Sequence, residues 1–177
     1  MGHSYPIRFG DAMCCQTFPH FDDAAIEELA WSTLKTSQNS QDYLDFISWF
    51  IGKSQYRQEA MDRAVACHTF GDPVPSVLPQ IFDSIRQAAE TTADTRLRGQ
   101  FNFYLAKLYH HGIGVAQDFS AALAAYDQAI TDGDLRALVN SSSLIEDGSV
   151  GEPDLDDVRS RLTRAADHGS SLARARL

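Results

Sequence analysis

The chain has 177 residues, of which 44% are hydrophobic and 22% are charged. This length and composition are typical of one globular domain and exclude two large ones. The formal net charge of −9 argues against nonspecific binding to nucleic acid or anionic lipid, because phosphate contacts need clustered lysines and arginines. The charge favours a cationic partner, and most of the acidity lies before residue 96.

The sequence also predicts where the protein resides. No apolar run approaches the roughly 18 residues that span a membrane, so no membrane insertion is expected. The stretch MGHSYPIRFGDAMCC lacks the apolar core of a secretory signal, which predicts a cytoplasmic location. A periplasmic location is the alternative if MGHS replaces a removed signal peptide. Cys14, Cys15 and Cys67 are an odd number, two of them adjacent, which predicts no disulfide framework.

Helical periodicity dominates from Phe21 onward, and no alternating strand pattern interrupts it. The first predicted helix begins at Asp22 or Asp23, and the second takes Ser40 as its cap and ends at Gly52. The third and fourth are expected over residues 56–69 and 77–89. Residues expected to face the core are Ile26, Leu29, Ala30, Leu34, Ile81, Phe82 and Ile85.

An internal repeat begins near Arg96. A fixed period with two helices in each unit is typical of an α-solenoid, in which one unit cannot bury its apolar face without its neighbours. A shift of 36 residues superimposes Leu108 on Leu144, Gly112 on Gly148, Asp118 on Asp154, Ala129 on Ala165, Gly133 on Gly169 and Ala137 on Ala173.

Glycines and aspartates mark the turns of a unit. Gly112 is expected to end one helix in the left-handed conformation, which strains a glycine little. Gly114 lies in the following turn, and Asp118 caps the second helix. Gly133 ends that helix and Asp134 caps the next. The predicted inner face of the second helix is formed by Ala122, Ala125, Tyr126 and Ala129.

Residues 99–138, GQFNFYLAKLYHHGIGVAQDFSAALAAYDQAITDGDLRAL, closely resemble a Sel1-like repeat, a relative of the tetratricopeptide repeat. The motif pieces are YLAKLYHHGIGVAQD, AALAAYDQAI and DGDLRAL. A weaker copy covers residues 138–175, where Val150 stands in place of Gly114. The resemblance implies an all-α fold, an α-solenoid of antiparallel helix pairs with an N-terminal helical cap. The expected parts are an N-terminal segment and cap (1–55), a possible degenerate repeat (56–95), and two repeats with a C-terminal capping helix (96–177).

Several groups look like chemical sites and fit structural roles better. His110 and His111 are adjacent, so on a helix they point about 100° apart and are not expected to bind one metal together. The segment GIGV lacks the third glycine and the preceding strand of a dinucleotide-binding loop. The spacing of His3, Cys14, Cys15 and His20 matches no zinc-finger pattern. Cys67 and His68 are expected to be one core and one surface residue of a helix rather than a reactive thiolate–imidazole pair.

The sequence offers no positive sign of catalysis. No HExxH or GxSxG motif occurs, and the acid clusters at 146–148 and 154–157 do not follow the calcium-loop pattern. We therefore predict no catalytic residue, no metal, no cofactor and no enzymatic activity. The single cationic stretch is expected to form the solvated outer face of the last unit, and the alternative is that it binds an acidic partner. Its basic residues are Arg159, Arg161, Arg164, Arg174 and Arg176.

The family resemblance implies a binding scaffold that uses the concave surface formed by the first helix of each unit. Phe103 and Val139 are expected to be exposed apolar groups at the centre of an interface. An alternative interface lies in the N-terminal half, with Trp31, Tyr43, Phe46, Trp49 and Phe50 as candidates. The predicted concave-face residues are Gln100, Phe103, Lys107, His110, Arg136, Val139, Ser143 and Glu146.

Three functional hypotheses follow from this resemblance. The first is a small bacterial binder that inhibits or escorts one protein, such as an immunity protein that neutralises a secreted toxin, because short Sel1-repeat proteins often accompany such toxins. The acidity of the chain suits a basic toxin or effector. The second is a regulatory or assembly adaptor for a signalling or envelope complex. An enzyme is the third and least favoured.

Overall fold

The computed structural model of the protein describes residues 23–49, 55–68 and 76–177. Every regular element in these ranges is an α-helix, which confirms the all-α prediction. The helices are α1 (Ala24–Leu34), α2 (Ser40–Trp49), α3 (Arg57–His68), α4 (Leu78–Thr91), α5 (Thr95–His111), α6 (Phe119–Thr131), α7 (Arg136–Glu146), α8 (Leu155–Asp167) and α9 (Ser171–Arg176).

Some sequence-based predictions concern positions outside the described residues. These positions are His3, Cys14, Cys15, His20, Phe21, Asp22, Phe50 and Gly52, together with the side chains of Ser40, Trp49, Cys67 and His68.

From α4 onward, helices that are neighbours in the chain are also neighbours in space. From α4 to α9 each helix packs against the next one, while α2 packs against α3 and α1 packs against α4. Buried apolar side chains from these helices join into a single core cluster. The residues predicted to face this core are buried, apart from Leu29, which is half-buried at its edge.

One buried carboxylate on α2 joins this helix to the start of α4. Asp42 is 1% exposed and accepts hydrogen bonds from the hydroxyls of Ser37 and Ser76, both at 2.7 Å. It also accepts the backbone N–H of Val77 at 2.9 Å. A buried carboxylate needs such donors, because it loses its hydration on folding.

Most of the later helices have a polar side chain that caps their N-terminus. Asp94, Asp118, Asp154 and Ser170 each accept a backbone N–H from the first turn of the helix that follows, so the cap predicted at Asp118 is confirmed. Leu135 takes the N-cap position of α7, one residue after the predicted Asp134, and makes no side-chain bond. The Asp134 carboxylate nevertheless accepts the backbone N–H of Arg136, the first residue of α7, at 3.2 Å, as expected of a cap. The same carboxylate also binds the guanidinium of Arg136.

The turn between α5 and α6 rests on α4. Gly112 ends α5 in the left-handed conformation, as predicted, with φ of 68°. Gly114 has φ of 72°, and a Cβ atom at this position would lie 2.4 Å from the carbonyl oxygen of Leu78. Only glycine permits this close approach, so this residue fixes the contact between the turn and the first turn of α4.

Candidate partner-binding face

The eight residues predicted to bind a partner do not form an open surface. Val139 and Phe103 are 2% and 0% exposed, so the prediction that they form an exposed apolar centre is wrong. Partner binding by these residues stays a prediction. Among the eight, Gln100, Phe103, Arg136 and Val139 are buried, Lys107, His110 and Ser143 are half-buried, and Glu146 is exposed.

The carboxylate of Asp23, immediately before α1, binds Arg136 of this face and the neighbouring Tyr104. Nη1 of Arg136 donates to both carboxylate oxygens of Asp23, at 2.9 and 2.7 Å. The hydroxyl of Tyr104 donates to the same carboxylate at 2.8 Å. The residue that precedes α1 of the same chain therefore binds the face that was predicted to bind another protein.

A second carboxylate completes this arrangement. Nε of Arg136 donates to Asp134 at 2.9 Å, and both side chains are 1% exposed. Burial opposes the charge on Arg136, but its hydrogen bonds to Asp134 raise its pKa well above the usual value. Burial raises the pKa of Asp134, and Arg136 partly offsets that effect. We refer to Asp23, Tyr104, Asp134 and Arg136 as the Asp23 cluster.

The side chain of Asp23 binds this cluster and does not cap its own helix. It occupies the N-cap position of α1 but makes no side-chain hydrogen bond to that helix. An aspartate in this position normally accepts an N–H of the first turn, which stabilises a helix by about 1 kcal/mol. Here the carboxylate takes a bond to a guanidinium instead, and bonds between charged groups are about twice as strong as neutral ones.

Aromatic rings form the floor beneath Arg136. Its guanidinium carbon lies 4.3 Å from the centroid of the Phe103 ring, which itself meets the Tyr104 ring edge-on at 5.4 Å. The ammonium of Lys107 lies 6.0 Å from the Phe103 ring and 5.5 Å from the Tyr104 ring. Cations over aromatic faces are attracted electrostatically, so the buried Phe103 ring helps to hold Arg136 in place.

The C-terminal helix contacts the downstream part of the predicted face. Arg176 donates to the carbonyl oxygen of Val139 at 3.2 Å and to the hydroxyl of Ser143 at 3.1 Å. It also forms an ion pair with Glu146. Three of the eight predicted residues thus contact α9 of the same chain.

The basic segment divides into two groups. Arg159, Arg164 and Arg174 are exposed, as expected for a solvated outer face. Arg161 and Arg176 differ, because they are half-buried and paired with acids. Arg161 binds Asp157 within α8 and Asp127 on α6, and the second contact joins α8 to α6.

Sequence reasoning missed a polar centre on Asp132. This buried carboxylate accepts from Nε of Arg98 at 2.9 Å, from Gln128 at 3.2 Å and from Asn102 at 3.4 Å. The hydrogen bonds from Arg98 are the main cause that lowers the pKa of Asp132. Arg98 and Asp132 are 34 residues apart, as are Asp127 and Arg161. Opposite charges about one period apart were the signal available in the sequence.

The side chains of His110 and His111 were predicted to point about 100° apart, but their rings lie side by side. The rings of His110 and His111 stack with centroids 4.5 Å apart and planes 9° from parallel. The His110 ring also meets the edges of Phe119 and Tyr126. Within the described ranges, no group of three or more His, Cys, Asp or Glu side chains could hold a metal ion.

The described aromatic candidates of the N-terminal half form core rather than surface. Trp31, Tyr43 and Phe46 are at most 4% exposed. The Trp31 ring stacks on Tyr56 at 4.8 Å and lies 5.5 Å from Phe46. These residues join α1, α2 and the start of α3, so they are not available as interface side chains.

A scan against protein-family models finds no matching family, and a search of curated proteins finds no significant match. Among the described helices, none is both long and apolar enough to cross a membrane.

Proposed function

We propose that the chain is a Sel1-like repeat protein that binds another protein. Residues 96–177 would then be two repeat units of an α-solenoid with a C-terminal capping helix, preceded by a degenerate repeat (56–95) and an N-terminal cap (1–55). The 36-residue period, the glycine turns and the packing of α4 to α9 in chain order support this proposal.

The binding of Asp23 is the observation that carries the functional part. Tyr104 comes from α5 and Arg136 from α7, and both bind a single carboxylate that belongs to a distant part of the chain. The face therefore has the donors and the aromatic floor needed to recognise a protein side chain. Arginine and tyrosine are also the residue types that dominate binding energy at protein interfaces.

The kind of binder that we favour is a small bacterial protein that inhibits or escorts one partner, such as an immunity protein against a secreted toxin. A net charge of −9 would accelerate encounter with a basic toxin or effector. Exposed charges attract over roughly 10 Å at 0.1 M salt, so the rate of capture would fall as salt is added.

The test is affinity capture from a lysate of the source organism, followed by mass spectrometry. The half-buried Lys107 lies beside the Asp23 cluster, and Lys107→Glu reverses its charge. The matched control is Lys35→Glu, because Lys35 is exposed at the end of α1 and the change in charge is identical.

We expect wild type and Lys35→Glu to capture the same single protein and Lys107→Glu to lose it. If both variants retain the partner, the assignment of the face is wrong. If wild type captures no protein even at low salt, the proposal of a protein-binding function is wrong.

A further inference from the structure

We propose that Tyr104 and Arg136 form a carboxylate-binding site that Asp23 fills in cis, and that an acidic side chain of a partner protein competes with Asp23 for it. This inference rests on the proposed function, since it names the chemistry and the regulation of the same face. Asp23 would then be an autoinhibitory contact.

The site is built independently of Asp23. Asp134 holds Arg136 through Nε and Nη2, and Phe103 supports the guanidinium from below. These contacts leave Nη1 directed at the carboxylate of Asp23. The Tyr104 hydroxyl approaches the same carboxylate from α5. Two donors from two helices are therefore fixed around one acceptor position.

Asp23 is the member of the cluster that is best placed to leave. Its side chain is 20% exposed, whereas Arg136 and Asp134 are each 1% exposed. It lies at the N-cap of α1, where its backbone carbonyl accepts the N–H groups of Ile26 and Glu27. Rotation of the side chain away from Arg136 does not require these backbone bonds to break. The released carboxylate would find donors in the first turn of its own helix, which has no side-chain cap at present. Such a cap bond would offset part of the loss of the bonds to Arg136 and Tyr104.

The charges around the site select a carboxylate over an amide of the same shape. The described charged groups beside the position are Asp134 and Arg136, with the ammonium of Lys107 over the adjoining rings. An acidic ligand restores the ion pair that Asp23 makes, and an amide does not. A partner that is basic overall still fits this site if it carries one acidic residue. Its net charge governs the long-range electrostatic attraction, whereas the contact with Arg136 depends only on that one carboxylate.

The experiment uses the full chain with Asp23→Ala, which empties the position. The probes are N-acetyl-aspartate amide, which mimics an acidic protein side chain, and N-acetyl-asparagine amide as its neutral control, both at equal ionic strength. Thermal unfolding is followed by circular dichroism. At a probe concentration about ten times its Kd, the aspartate probe is expected to raise the Tm of Asp23→Ala by about 3 °C or more.

Wild type is expected to shift by less than about 1 °C with either probe, because Asp23 already fills the site. Tyr104→Phe in the Asp23→Ala background is expected to reduce the response to the aspartate probe. Equal shifts with both probes, or equal shifts in wild type and Asp23→Ala, would overturn the inference. If Asp23→Ala does not fold, Asp23→Ser replaces it with the same expectations, because the serine hydroxyl caps α1 but carries no carboxylate. Failure here leaves the capture experiment untouched, so the two proposals fail separately.

Discussion

Replacing Gly114 by alanine tests how the turn between α5 and α6 packs on α4. Its φ of 72° is unfavourable for alanine, and the new Cβ would lie 2.4 Å from the carbonyl oxygen and 2.7 Å from the carbonyl carbon of Leu78. Both atoms belong to the backbone, so the overlap is relieved only if the turn moves away from α4. Gly133 provides the control, because its φ is 95° and no atom lies within 4 Å of a Cβ built there.

The two substitutions share one cost and differ in the other. The left-handed conformation destabilises a residue with a side chain by about 1–2 kcal/mol, and this applies to both positions. Overpacking against a fixed neighbour adds about 1–3 kcal/mol, and this applies at Gly114 alone. We therefore expect losses of about 2–5 kcal/mol for Gly114→Ala and about 1–2 kcal/mol for Gly133→Ala.

Urea unfolding followed by circular dichroism measures the difference. The midpoint is expected to fall further for Gly114→Ala, with an unchanged m-value in both variants, because the surface exposed on unfolding stays the same. Equal losses at the two positions, within about 0.5 kcal/mol, would refute the packing of this turn against α4.

Three further predictions concern the buried polar groups. Asp42→Ala is expected to lower the free energy of unfolding by about 2–3 kcal/mol in urea, since it leaves several buried donors unpaired, whereas Asp45→Ala in the same helix costs less than about 1 kcal/mol. Asp132 has a lowered pKa in the fold, so its charge stabilises the protein above its unfolded pKa of about 3.9 and that contribution is lost as the pH falls through the folded value. The stability difference between wild type and Asp132→Asn is therefore expected to be constant above about pH 5 and to shrink below about pH 4; a difference that stays constant down to pH 2.5 would contradict this. Arg176→Ala is expected to cost about 1–2 kcal/mol and the exposed Arg174→Ala less than about 0.5 kcal/mol, and equal costs in thermal unfolding would contradict the role of Arg176.

The helices were predictable because their signals are local. The recurrence of Ile81, Phe82 and Ile85 on one face of α4 and the left-handed Gly112 at the end of α5 depend only on residues within a few positions. The same holds for the cap at Asp118. Each of these features was read from the sequence and appears in the structure.

The candidate face was not predictable in the same way. Exposure of Phe103 and Val139 was inferred from position within a repeat, but Phe103 packs against Tyr126 and Arg136. Arg136 and Val139 in turn contact Asp23 and Arg176, which lie outside the matched helices. Asp23 and Arg136 are 113 residues apart, which is not close to a multiple of the period. Periodicity therefore does not predict this pair. A single sequence does not show which of its many arginines binds a given aspartate.

The most direct test of this account is a double-mutant cycle between Asp23 and Tyr104, because their hydrogen bond joins the start of α1 to α5. Asp23→Ala, Tyr104→Phe and the double variant are compared with wild type by urea unfolding. We predict a coupling free energy of about 1–2 kcal/mol, as for a hydrogen bond to a charged group. Additive losses, with coupling below about 0.3 kcal/mol, would contradict the claim that Asp23 binds to the α5–α7 face.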